Sequence, residues 1–271
     1  MLAFAGGACG LPTPAVQDRH NGEEPGQGTA YLSPQVPAEQ IGGNVAVYAH
    51  SGAELYEVDP RTLAIRRIGR FFTTTSTGAR EDVKDVTDIA IDKDGRMTGI
   101  TFDQLLSIDP TTAECQRRTK VNAMVNGLSW IRLDDGGEAL VATGKDGSVL
   151  RIDPETGDAT SLGALGNGMK SSGDIVSVDK YGTLATLVDP KGRGDLLARL
   201  DPKTGAATVV GNTAFPQVWG LGFWGNRVFG FTKSGEFMLI EPKTGKSKLI
   251  AVDPIYEFWG AAVSTSAITI D

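Results

Sequence analysis

One pattern recurs five times along this chain of 271 residues and limits the possible folds more than any other feature. It reads LYEVDPRTLAIRRIG from Leu55, LLSIDPTTAECQRRT from Leu105, VLRIDPETGDATSLG from Val149, LARLDPKTGAATVVG from Leu197 and FMLIEPKTGKSKLIA from Phe237. The acidic residue before proline falls at Asp59, Asp109, Asp153, Asp201 and Glu241, so the intervals are 50, 44, 48 and 40 residues. A mean interval near 45 is the period of a four-stranded propeller blade. A stacked-repeat unit of that kind buries its apolar faces only against its neighbours, so the chain reads as one ring.

The repeat has a local mechanism. An acid followed by Pro opens a type I turn, because the pyrrolidine ring sets φ near the value the second turn position needs. Gly at the end of Thr-Gly then adopts the left-handed conformation that returns the chain to an antiparallel partner. Leu63 and Ala113 stand where Gly belongs, and those two turns are expected to be looser or of another type. The strand before the turn alternates, with Arg151 and Arg199 facing away from their apolar neighbours. Upstream of four of the repeats lies a second hairpin. Examples are Asp88–Asp92 turning through Asp94-Gly95 into Met97–Thr101, and Gly220–Trp224 turning at Gly225-Asn226 into Val228–Phe231. Each unit is therefore four strands, a to d.

The ends complete the count. The first unit starts at strand b (Val45–Ala49) and lacks an a strand, which Phe258–Val263 supplies by analogy with Val218–Phe223. The expected fold is all-β: a five-bladed propeller of four-stranded antiparallel blades over residues 44–271, its first blade closed by the C-terminal strand. That closure removes two sheet edges. Six blades is the alternative count, and residues 267–271 read as the start of a further strand. Composition agrees: 35 Gly, about twice the usual share near 7%, suit many tight turns. A net charge of −7 argues against nucleic acid as a partner.

The first nine residues, MLAFAGGAC, resemble the end of a bacterial lipoprotein signal, in which the cysteine is acylated and becomes the mature N-terminus. That resemblance implies lipidation at Cys9. Two departures are the missing basic residues before the apolar run and Gly6 where Leu is commonest. Residues 10–43, rich in Pro, Gly, Gln and Glu, read as a flexible tether. The expected location is the bacterial cell envelope, lipid-anchored at the outer membrane or periplasm. Gly10 directly after the cysteine resembles proteins sent onward to the outer membrane. Cys115 reads as a small, semi-buried strand residue rather than a nucleophile.

The repeats resemble those of bacterial secreted propeller proteins in the broad YVTN, NHL and quinoprotein-like superfamily, over about residues 44–265 and through the LY-x-V/I-DP-x-TG and DG hairpins. The resemblance implies a ligand site at the mouth of the central channel and does not specify the ligand. The variable loops share one face: 71–86, 118–126, 163–172, 211–217 and 252–257, with the long b-to-c loop Asp189–Asp195. Aligning the units puts Thr87-Asp88, Asn126-Gly127, Gly173-Asp174, Trp219-Gly220 and Trp259-Gly260 at equivalent places around the channel. The candidate ligand-binding residues are Asp88, Asn126, Asp174, Trp219 and Trp259. Indoles with carboxylates and an amide suit a sugar, a cationic group or a peptide side chain. The alternative is structural: indoles packed between blades, and aspartates capping turns or pairing with Arg and Lys.

No cofactor or metal is expected. Calcium would draw on Asp88, Asn126 and Asp174, but three side chains fall short of six or more oxygen ligands. Asp92-Lys-Asp94-Gly95 reads as a hairpin turn rather than a calcium loop. His20 lies in the tether and His50 at a b-to-c turn, so the reading places no histidine at the centre. The expected function is non-catalytic binding of a protein or glycan through the loop face, with membrane contact only through the lipid anchor. The alternatives are a carboxylate-based glycoside hydrolase or lactonase in the channel mouth, using Asp88, Asp174 and Glu257, and a structural part of a surface assembly.

Overall fold

The computed structural model describes residues 46–269, which contain β-strands and turns and no helix. Cys9 and the tether lie outside the described residues. In chain order the strands are β1 (Val47–His50), β2 (Glu54–Val58), β3 (Ile65–Arg70), a short hairpin β4 (Phe72–Thr74) and β5 (Arg80–Asp82), then β6 (Asp88–Ile91), β7 (Met97–Ile100), β8 (Gln104–Ile108) and β9 (Cys115–Lys120). They continue as β10 (Gly127–Arg132), β11 (Glu138–Thr143), β12 (Ser148–Ile152) and β13 (Ala159–Ala164). The remaining strands are β14 (Ser171–Val178), β15 (Gly182–Leu187), β16 (Leu196–Leu200), β17 (Ala207–Asn212), β18 (Val218–Trp224), β19 (Arg227–Thr232), β20 (Glu236–Ile240), β21 (Ser247–Val252) and β22 (Gly260–Ala262).

These strands build five four-stranded antiparallel sheets: β22-β1-β2-β3, β6 to β9, β10 to β13, β14 to β17 and β18 to β21. The first is closed by the C-terminal strand, with Ala49 opposite Ala261 and His50 opposite Gly260. The innermost strands β6, β10, β14, β18 and β22 pack each on the next, and β22 returns to β6, which completes a five-bladed propeller. Close approach at the axis requires missing side chains. A Cβ on Gly220 would stand 2.9 Å from the Gly260 carbonyl carbon, and one on Gly260 would stand 2.3 Å from Asp88 Oδ1.

The acid-Pro turns share one construction. In all five the acid accepts the amide of the residue two along, from 2.7 Å at Thr111 to 3.2 Å at Lys243. Leu63 and Ala113 correct the sequence expectation. Both sit at φ 64°, beside 78°, 72° and 72° for Gly157, Gly205 and Gly245. Their amides make the same bond back to the acid, 2.7 Å to Asp59 O and 2.8 Å to Asp109 O. The turns are of the same type, and the two side chains accept left-handed strain because the flanking strands hold the geometry.

The core lies between blades. Ala90, Ile100 and Leu105 pack with Leu128, Leu140 and Ile152 of the next blade. Ile131, Val141 and Val149 pack with Ile175, Ala185 and Leu200 of the blade after. The seam where the ring closes is aromatic: Phe258 lies 5.2 Å from Phe231, 5.4 Å from Tyr256 and 6.0 Å from Tyr56, ring centre to ring centre.

Among the described residues no strand follows β22, which corrects the reading of residues 267–269; residues 270 and 271 lie outside the described residues. Ser264 bridges Ile91 and donates to the Asp92 carbonyl at 2.8 Å. The Thr265 hydroxyl bonds Glu138. Thr265 O accepts the Asp179 amide at 2.7 Å, and Ile268 O accepts the Gly225 amide at 2.9 Å. One short segment thus ties the a-to-b turns of the other four blades together, on the face opposite the variable loops.

Candidate functional site

The entries of the five innermost strands converge as the alignment anticipates, but in two layers. The first residues of the aligned pairs, Thr87, Asn126, Gly173, Trp219 and Trp259, line an open cavity of about 540 Å³ at the channel mouth. The second residues form its floor, where Asp88 and Asp174 are fully buried. Of the five candidate residues, then, Asn126, Trp219 and Trp259 stand on the wall. The two aspartates lie below it.

The floor has a structural explanation. An innermost strand has one edge without a strand partner, and its inward amides need acceptors. Asp88 Oδ2 accepts the Leu128 amide at 2.6 Å, and Oδ1 accepts that of Ile89 at 2.8 Å. Asp174 Oδ2 accepts Leu221 at 2.6 Å and Ala261 at 3.2 Å, while Oδ1 accepts Ile175 at 2.6 Å. Asp88 thereby links the second and third blades, and Asp174 links the fourth to the fifth and the first. The two carboxyl groups also perturb each other's titration. Burial pushes both well above the ordinary carboxylate range, and for Asp88 the neighbouring Asp174 charge adds to it. Such a pair holds one proton between its members. Three backbone donors against two favour the charge on Asp174 and the proton on Asp88.

His50 corrects the expectation that no histidine reaches the centre. It ends β1 with no exposed surface, and its Nε2 lies 3.7 Å from Asp88 Oδ1. Its Nδ1–H donates to the Ser51 carbonyl at 2.8 Å. Desolvation lowers its pKa to about 4, so at neutral pH the ring is uncharged and this approach is not an ion pair. The sequence placed His50 at a turn because strand ends and turns are adjacent; only the β1–β22 pairing carries it inward.

The wall is set by glycine gaps. A Cβ on Gly52 would meet three ring carbons of Trp259 at 3.2 Å, so the indole lies against that loop. A Cβ on Gly173 would stand 2.5 Å from Trp219 Cα and 3.0 Å from its Cδ1. Lys233 Nζ stands 5.0 Å from the Trp219 ring centre and 3.7 Å from Glu257 Oε1. Asn126 donates to the Ser172 carbonyl at 3.3 Å, and its Oδ1 is buried without a partner.

Sequence reasoning missed Phe102, Met124, Lys145 and Lys233 on this wall. Phe102 and Met124 are 60% and 87% exposed, large apolar side chains at the tips of a b-to-c and a d-to-a loop. Exposed apolar residues in variable loops were the available signal. A second cavity of about 460 Å³ adjoins the first and shares Lys145, Ser172 and Trp219 with it. It reaches the long b-to-c loop at Asp189, Gly192, Gly194 and Asp195.

Among the described residues no three His, Cys, Asp or Glu side chains are placed to share an ion. Cys115 is buried in β9, and its thiol is pushed up to about 12 by desolvation. The fold and the cavity define a five-bladed β-propeller with an aromatic-walled channel mouth. No family model matches the chain, and no curated protein matches it.

Proposed function

We propose that this protein is a non-catalytic binding propeller of the bacterial secreted type, held at the envelope through a lipid on Cys9, which receives its ligand in the channel-mouth cavity from the loop face. The carrying observation is the division of the mouth into a binding wall and a structural floor. Trp219, Trp259, Phe102 and Met124 give a concave apolar surface of the size used for small ligands, roughly 300–1,000 Å³. The carboxylates that hydrolysis would need are beneath it, bonded to backbone amides. Glu257, the third carboxylate of the hydrolase reading, pairs with Lys233 instead of facing them. These facts support binding over catalysis.

The test is intrinsic fluorescence of wild type and Trp219→Ala on titration with envelope extract fractions. Quenching that saturates in wild type and is lost in the variant is expected. Equal responses from both would remove the channel mouth from the argument. Mass spectrometry of membrane-extracted protein reads the lipid on Cys9, and an unmodified cysteine would sink the anchor.

A further inference from the structure

The two adjoining cavities differ in character, and the difference names a ligand. The first offers two indoles, a phenyl ring and a thioether, with Thr87, Asn126 and Ser172 as its uncharged hydrogen-bonding side chains, the Ser172 hydroxyl already given to Asp195. A neutral sugar needs several convergent donors and acceptors, so this wall suits it poorly. The second is less apolar, and Lys145 and Lys170 line it.

The charges there are unevenly satisfied. Asp146 accepts from the Ser148 hydroxyl at 2.7 Å and amide at 3.0 Å. Asp189 accepts from the Lys191 amide, Arg193 Nε and Asn212 Nδ2, at 3.0 to 3.2 Å. Asp195 accepts from the Ser172 hydroxyl at 2.5 Å and the Val218 amide at 2.7 Å. Every acidic side chain on the two walls is thus engaged. The ammonium groups of Lys145 and Lys170 have no acceptor among the described residues. Without a protein partner, the two lysines beside the aromatic cavity leave their ammonium groups available to pair with an anion.

We infer that the ligand is a small amphipathic anion, its aromatic or branched apolar part seated between Trp219, Trp259 and Met124 and its carboxylate, sulfonate or phosphate directed to Lys145 and Lys170. This rests on the channel-mouth reading above and adds the chemical class. Lys145 and Trp219 border both cavities, so one molecule of modest length reaches both environments.

The experiment uses two probes of one shape. 8-Anilinonaphthalene-1-sulfonate carries an anion, and N-phenyl-1-naphthylamine is the same skeleton without it. Each is titrated against wild type, Trp219→Ala, Trp219→Phe and the double variant Lys145→Gln/Lys170→Gln, with circular dichroism confirming that each variant is folded. The sulfonate is expected to saturate at one probe per chain. It should weaken about three- to tenfold in the double lysine variant, the range for two exposed charge contacts. Its affinity should fall with added salt in wild type and not in that variant. The neutral probe should bind both alike. Trp219→Ala should weaken both probes, with Trp219→Phe between.

If the lysine variant binds the sulfonate as wild type does, the anionic assignment is overturned while the cavity reading stands. If the indole variants change neither probe, both fall. A neutral oligosaccharide such as chitotriose quenching more strongly than the sulfonate would also overturn the assignment.

Discussion

Replacing Asp174 with alanine tests the account of the channel floor. The change strips an acceptor from Ile175, Leu221 and Ala261, at 2.6, 2.6 and 3.2 Å. A buried donor left unsatisfied costs about 1–3 kcal/mol, which for three gives roughly 3–9 kcal/mol before compensation. Removing the carboxylate also ends its desolvation and its repulsion of Asp88, and water entering from the mouth satisfies part of the deficit. A net loss of about 3 kcal/mol remains, lowering the melting temperature by roughly 6–12 °C for a chain of this size.

The pH dependence sharpens the test. The pair's folded pKa lies above its unfolded value near 3.9, so the folded state holds an extra proton and this contribution is lost as pH rises toward the folded value. His50 acts oppositely: at about 4 folded against about 6.5 unfolded, it adds stability as pH rises from 4 to 6.5. The two slopes offset in that window. Asp88→Asn removes the Asp88 share of the opposing slope while Asp174 stays raised by its own burial, so the His50 rise between pH 4 and 6.5 becomes steeper than in wild type. Urea melts at half-unit pH steps measure both effects. An Asp174→Ala protein within 1 kcal/mol of wild type, or an Asp88→Asn profile parallel to it, would refute the reasoning.

Leu63→Gly should raise stability by up to about 1 kcal/mol, since it relieves a φ of 64° in an otherwise unchanged turn; thermal denaturation measures it, and a loss would mean the side chain matters more than the strain. Phe258→Ala should cost about 3–5 kcal/mol and loosen the seam between the fifth and first blades, read as faster amide exchange in β1 and β18 than in β10. Cys115 should resist iodoacetamide at pH 7 in the native protein and react once unfolded in urea; rapid native labelling would contradict its 2% exposure.

Much of the architecture was legible because it rests on short-range chemistry. Acid-Pro turns and Asp-Gly hairpins act within a few residues, and five copies in register leave one ring as the economical solution. The closure by residues 258–263 was legible too, since its Trp-Gly pair repeats that of Val218–Phe223. The aligned pairs located the channel mouth for the same reason.

What position along the chain could not show was depth. Asn126, Trp219 and Trp259 differ from Asp88 and Asp174 by one residue of offset, and side chains alternate direction along a strand, so one set meets solvent and the other the axis. His50 moved inward only when a strand from the far end of the chain paired beside it. Leu63 and Ala113 kept glycine geometry because their flanking strands outweigh a local preference. Sequence alone therefore determined the repeat and its four-strand unit and pointed to the ring closure, all set by local turns and periodicity, while the structure decided five blades over six. Tertiary structure alone decided which residues form the floor, which form the wall and which lysines stand beside it without partners, because those properties depend on groups brought together from different blades.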